Sequence, residues 1–262
     1  MHGSYPWITF ARLLAFGMIA MIAGLPYTME LVRPRLAGRG LSIGKVAFLQ
    51  SLQTTVLLAL SIGFGLLASL KTGLNSGAFA HWPESCCPQL SYQFGRALIA
   101  GFLSGAVVVA VDYLVFLSRL PALRQASAHI VKMALWKKLG ASLYGGVAEE
   151  LIMRLGLFSL TLWALKALAS RTAVSSDSAL LWTTNLIVAL LFGAGHLPAT
   201  AALVPLNRLL VLRALLINGI PSIAFGYLYF TFGLEAAMLG HLVTDLTIQF
   251  AGSVVSGDVS SD

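Results

Sequence analysis

The sequence predicts an all-α, polytopic transmembrane helical bundle of about seven spans around an internal polar cavity. Three observations predict it. Residues of the AVILMFWYC set make up 58% of the 262-residue chain and charged residues only 10%. Ordinary globular domains carry about 45–50% apolar and about 25% charged residues. The apolar residues are gathered into runs of roughly 20, the length that crosses a bilayer as a helix. A small set of ionisable residues then interrupts those runs, mostly in the second half of the chain. Mean hydropathy is +0.84. Together these exclude a disordered chain, a soluble nucleic-acid binder and a disulfide scaffold. The net charge of +7 is then a matter of loop charge and topology.

The spans read in order as Trp7–Met29, Val46–Leu70, Ala97–Ser118, Leu139–Ser170, Thr184–Val204, Ala214–Thr231 and Leu234–Val254. The runs are long and uniformly apolar, without the alternation of barrel strands. The fourth exceeds what a bilayer requires and is expected to tilt or project. Only Phe232 and Gly233 separate the last two, which predicts a tight helical hairpin. Gly101-x-x-x-Gly105 in the third span lets another helix approach closely. No internal repeat or linker divides the chain. It reads as residues 1–138 (three spans with basic loops), 139–252 (a polar-site core) and a disordered polar tail, 253–262. No cleavable signal peptide is expected: Arg12 lies beyond the extreme N-terminus, and no small-x-small site precedes a soluble domain.

Loop charge sets the orientation. Arg33, Arg35, Arg39 and Lys45 follow the first span. Arg119, Arg124, Lys132, Lys137 and Lys138 follow the third, and Arg208 and Arg213 the fifth. The opposite side holds Lys71, Arg96 and Arg171. By the positive-inside rule the N-terminus is outside and the C-terminus inside. Trp82, Trp136 and Trp182 stand near span ends, as interface anchors do.

Ionisable groups inside spans cost about 2.5–3.5 kcal/mol each at mid-bilayer on insertion scales, so those retained need a partner or a task. The fourth span carries Glu149, Glu150 and Arg154, the fifth His196, and the last His241 and Asp245. Glu150 and Arg154 are four apart, share a helix face and can pair. Glu149 points about 100° away in a regular helix and needs another partner. His241 and Asp245 are again four apart, so the carboxylate can orient the imidazole or share its proton. Glu149, His196 and His241 fall at comparable depths, roughly 10–15 Å from a span end, and can meet in one cavity open to the cytoplasm. Gly145, Gly146, Gly193, Gly195 and Gly240 allow close approach around them.

These residues read as E-E-x-x-x-R (Glu149 to Arg154), F-x-x-x-H (Phe192 to His196) and H-x-x-x-D (His241 to Asp245), in that order on three apolar spans. They resemble the CPBP intramembrane protease family, the CAAX prenyl endopeptidase and Abi group. The resemblance covers roughly Leu139–Phe250. It implies an all-helical membrane fold with an internal catalytic cavity and hydrolysis of a peptide bond in a membrane-embedded or lipidated, CAAX-like peptide. It implies that Glu149 with His196 activates water, that His241 and Asp245 stabilise the oxyanion, and that Glu150 and Arg154 are a structural pair. Many relatives carry Asn where Asp245 stands. An ionised Asp245 would oppose the developing charge and must act through His241 or be protonated. Chemistry alone leaves two routes open. A carboxylate in a low-dielectric cavity can serve as general base without a metal. Alternatively, Glu149, His196 and His241 could hold zinc, although H-E-x-x-H is absent.

Two other functions suit such a chain: a non-proteolytic immunity protein or scaffold of the same fold, and a small proton-coupled transporter using Glu149, His241 and Asp245. The expected setting is the lipid bilayer, as a multi-pass protein of a bacterial inner membrane, with no nucleic-acid partner. The remaining features read as structural. Asp112 is a lone acid expected to be paired or to face a cavity, and Glu235 an interfacial residue at the hairpin turn. His2, His81, His129, Cys86 and Cys87 are tail or loop residues. Gly40-Leu-Ser42-Ile-Gly44 spells a nucleophile elbow but lacks the preceding strand. Ser104-Gly105 lacks the motif that accompanies a rhomboid serine.

Overall fold

The computed structural model describes residues 6–37, 40, 42–74, 88–121, 123–124, 130–170 and 176–257. Cys86, Cys87, Trp82, Arg39, Arg171, His2, His81, His129 and residues 258–262 lie outside them.

Every long apolar run is a helix. α1 spans Trp7–Ala37 and α2 Ile43–Thr72. Gly73 closes α2 at φ 76°, a left-handed cap that glycine adopts without steric cost. α3 covers Pro88–Val111 and widens into a π-helical turn at Asp112–Leu117. α4 runs through Leu135–Ala169. α5 covers Asp177–Gly195, begun by Ser176, whose hydroxyl accepts from the amide of Ala179 at 3.2 Å. It ends at His196, which starts the short α6, Leu197–Ala201. α7 covers Arg208–Phe232 and is capped by Asn207. α8 covers Leu234–Gly257. Gly233 alone separates α7 from α8, at φ 102°, so the expected hairpin is present at its tightest.

Most helices extend beyond the sequence expectation: α1 runs to Ala37 rather than Met29, α2 starts at Ile43 rather than Val46, α3 at Pro88 rather than Ala97, α5 at Asp177 rather than Thr184 and α7 at Arg208 rather than Ala214. α4 starts at Leu135 rather than Leu139, and its 35 residues reach about 50 Å. The fifth span breaks at His196 instead of continuing to Val204. α8 stays helical to Gly257, past the point where a polar tail was expected to begin. Among the described residues, six helices are long and apolar enough to cross a membrane, and α8 is not one of them. Glu235, His241, Asp245 and Gln249 dilute its apolar character. Yet α8 is central, packing against α3, α4 and α7. It spends hydropathy to carry polar groups inside the bundle.

α4 and α8 form the middle of the molecule. α1 and α2 pack on the far side of α4, α5 pairs with α7, and α3 lies along α8. The core contains Leu13, Leu58, Ile62, Leu151, Leu155, Phe158, Leu162, Val188, Phe225 and Leu228. The outward faces are also apolar: Ile19, Leu60, Phe64, Ile99, Phe102, Leu103 and Leu190 are exposed. A soluble bundle rarely carries such continuous apolar surface, whereas acyl chains cover it without cost. The Gly101-x-x-x-Gly105 stripe does what its spacing predicts. A methyl at Gly105 would meet Thr247 Cβ at 2.6 Å, one at Gly101 would overlap the carbonyl of Gly240, and Thr244 donates to the Gly101 carbonyl at 3.0 Å. α3 therefore lies backbone to backbone with α8.

Polar ties gather at the basic end. Arg213 grips Asp112 with two hydrogen bonds of 2.6 Å, joining the end of α3 to the start of α7. Lys137 pairs with Glu30, joining α4 to α1. Asp112 is thus paired, as expected. Glu235 departs from expectation: it is buried in the first turn of α8.

Candidate active site

α4 does not keep a regular α-helical pitch where the acidic pair falls. Tyr144–Glu149 and Leu151–Phe158 form widened, π-type turns. Such turns rotate less per residue than an α-helix and cluster at functional sites. The consequence is visible at His241. Glu150 Oε1 accepts from its Nδ1 at 2.8 Å, while Glu149 Oε2 lies 4.0 Å from its Nε2. Two consecutive carboxylates thus address opposite nitrogens of one ring.

The Glu150–Arg154 pair forms as expected, with Arg154 Nε donating to Glu150 Oε2 at 3.0 Å and both side chains fully sealed. It is more than a structural pair, because Glu150 also holds His241. Asp245, which by its spacing can orient the ring or share its proton, has Oδ1 3.7 Å from Nε2, beyond hydrogen-bond distance. Arg154 is anchored further by Ser222 of α7, whose Oγ accepts from Nη2 at 2.8 Å. Its Nη1 is buried without a hydrogen-bond partner among the described residues. The guanidinium instead faces the rings of Phe192 and Phe225, each 5.9 Å away, a cation–π setting. Behind it, Ser159 and Tyr229 hydrogen-bond at 2.9 Å.

Aromatic rings fix the imidazole. Phe225 stacks on His241 with centroids 4.5 Å apart and an 18° interplanar angle, and Phe192 meets it edge-on at 5.7 Å. Phe192 also packs edge-on against His196 at 4.6 Å, so one phenyl ring spaces the two histidines. His196 sits at the C-terminal end of α5 with Nδ1 2.9 Å from the carbonyl of Phe192. It lies within electrostatic range of Asp245. No direct hydrogen bond joins His196 to Glu149 among the described residues.

Of the glycines expected to allow close approach, Gly145, Gly146, Gly193 and Gly240 do so, whereas Gly195 faces open space. A methyl at Gly145 would stand 2.7 Å from Asp245 Oδ2 and 3.2 Å from His241 Nε2. α4 therefore presents bare backbone beneath the two side chains. Exposure splits the cluster sharply: Glu150 and Arg154 are 0% exposed, Glu149 23% and Asp245 28%. His241 separates the sealed side from the open one.

A zinc site needs three protein donors converging on one point with an open position. Among the described residues, no group of three His, Cys, Asp or Glu side chains is arranged to hold a metal. In Glu149, His196 and His241, the set that would hold zinc if it were present, each histidine engages Nδ1, with Glu150 and with the Phe192 carbonyl, which leaves Nε2 as the available donor.

Sequence reasoning missed Ser222, Phe225 and the Glu150–His241 bond. Ser222 and Phe225 lie in an apolar stretch of α7 without any motif. Only the arrival of α7 beside α4 reveals them.

Apolar helices enclosing one buried ion cluster, with two carboxylates partly open beside a histidine, define an all-α, multi-pass integral membrane protein with a polar site inside the bundle. Residues 131–247 match the family model described as type II CAAX prenyl endopeptidase Rce1-like. The matched stretch holds all three motifs that resemble the CPBP/CAAX protease family. No curated protein and no solved structure matches the chain significantly.

Proposed function

We propose that this protein hydrolyses a peptide bond of a membrane-associated, lipidated, CAAX-like peptide by a glutamate-based mechanism. One observation carries the reading: His241 is held at Nδ1 by a sealed carboxylate while its Nε2 faces the partly open Glu149 and Asp245. In the proposed reaction Glu149 takes a proton from a water that His196 helps to position. The resulting hydroxide attacks the scissile carbonyl carbon. His241, as imidazolium bonded to Glu150, donates Nε2–H to the new oxyanion. The tetrahedral intermediate collapses, the C–N bond breaks, and the proton on Glu149 passes to the leaving amine. Carboxylate and amine products result. Asp245 acts on the ring and not on the oxyanion, which its charge would repel.

The loop charges support an orientation with the N-terminus outside and the C-terminus in the cytoplasm of a bacterial inner membrane. Substrate then enters from the cytoplasmic side.

The test is cleavage of a quenched-fluorescent panel of lipidated peptides by purified protein in detergent. Wild type and Glu149→Gln are compared at matched melting temperature, each with and without chelator. The reading expects cleavage that resists chelator and disappears in the variant. Cleavage that survives in Glu149→Gln sinks it. Loss with chelator and recovery with zinc would replace it with metal chemistry.

A further inference from the structure

Two adjacent lysines open α4 and meet opposite fates. Lys137 is partly exposed and paired with Glu30. Lys138 is 7% exposed, and no carboxylate among the described residues lies within ion-pair distance of it. Its ammonium donates to the carbonyl of Val131 at 3.2 Å, one acceptor for a group with three donors. A buried cation ordinarily requires a counter-charge. Lysines near span ends usually extend to water instead.

Gln249 of α8 donates to the Lys138 carbonyl at 3.1 Å and to Ser142 Oγ at 2.5 Å. Beside it opens a cleft lined by Leu135, Leu139, Leu246 and Phe250, with Lys138 and Gln249 at its polar edge. Leu135 and Phe250 expose more than half of their surface. The cleft is thus apolar and opens outward, and its lining includes one buried cation with a single hydrogen-bond acceptor. It lies at the end of the bundle that also bears Arg33, Lys45, Arg119, Arg124, Lys132 and Arg208.

We propose that this cleft binds an anionic phospholipid, with the phosphate on Lys138 and an acyl chain along Leu135, Leu139, Leu246 and Phe250. Basic pockets between membrane helices recognise lipid headgroups in this way. The apolar lining argues for a lipid over a free phosphate, which would leave the cleft bare. The site is separate from the candidate active site and stands whether or not the protein is a protease. Gln249 lies one helical turn beyond Asp245 on α8, so an occupied cleft would brace the helix that carries His241.

Native mass spectrometry of the detergent-purified full chain tests this, with phosphatidylglycerol as probe and phosphatidylcholine as reference. Wild type should retain phosphatidylglycerol preferentially. Lys138→Gln should lower the retained fraction by about five-fold, Lys138→Arg should restore most of it, and Lys137→Gln should leave it unchanged. Phe250→Asp should lower it without altering any lysine. The bound fraction is read only from protein that melts as wild type does, and Lys138→Arg and Phe250→Asp serve if Lys138→Gln melts early. Equal losses in the Lys137 and Lys138 variants would mean only diffuse attraction to the basic end and overturn the site. So would protection of Lys138 from amine labelling by a peptide with a free C-terminal carboxylate, when phosphatidylglycerol gives none.

Discussion

The two sides of His241 differ in almost every physical respect. On one side Glu150, Arg154 and Ser222 form a dry, fully buried chain of charge-assisted hydrogen bonds. On the other, Glu149 and Asp245 keep about a quarter of their surface accessible and stand just beyond bonding distance. Adjacent glutamates therefore have unlike tasks. The sealed one is committed to neighbours and holds the fold, while the open one has capacity left for a reactant. Water exclusion strengthens the inner interactions, and partial access leaves room for a water on the outer side.

The comparison can be broken from either side. The largest effect is expected from Arg154→Met. It strips Glu150 of its guanidinium partner and leaves only His241 beside the buried carboxylate, which should cost about 3–5 kcal/mol, seen as a large fall in melting temperature in detergent. If the variant melts like wild type, the inner side is not structural. Glu149→Gln should leave melting nearly unchanged while lowering peptide cleavage by roughly 10²–10⁴-fold, the usual contribution of a general base. Unfolding of this variant with a tolerant Arg154 would invert the assignment. Gly145→Ala places a methyl against Asp245 and should cost about 1–3 kcal/mol. It should also disturb cleavage, because the displaced group borders Nε2 of His241. Phe225→Leu removes the ring stacked on His241 and should cost the least, about 0.5–1.5 kcal/mol beyond lost area. It sharpens the comparison if cleavage falls more than stability does.

The span pattern was legible because bilayer thickness imposes one length on every crossing. The three motifs were legible because ionisable groups are conspicuous among leucines and valines. The bond between Glu150 and His241 was not. Reading α4 with a regular pitch turned Glu149 and Glu150 about 100° apart, and the widened turns at Tyr144–Glu149 and Leu151–Phe158 change that angle. Sequence spacing carries no mark of such a turn. His196 was rightly placed on α5, at its end, but its edge-on packing against Phe192 is not written in the spacing. Asp112 and Arg213 are 101 residues apart. Each looked like an isolated charge until α3 and α7 were seen side by side.

Glu150 and Arg154 also bear on how the chain enters the bilayer. Ser222 follows Arg154 by 68 residues, and His241 follows Glu150 by 91. During synthesis α4 is therefore complete before either partner exists. A lone arginine or glutamate at that depth would resist partitioning into lipid. Placed one turn apart on a single helix, the two neutralise each other at once, so α4 brings its own counter-ion to the insertion machinery. The later helices then find a preformed dipole on which to dock.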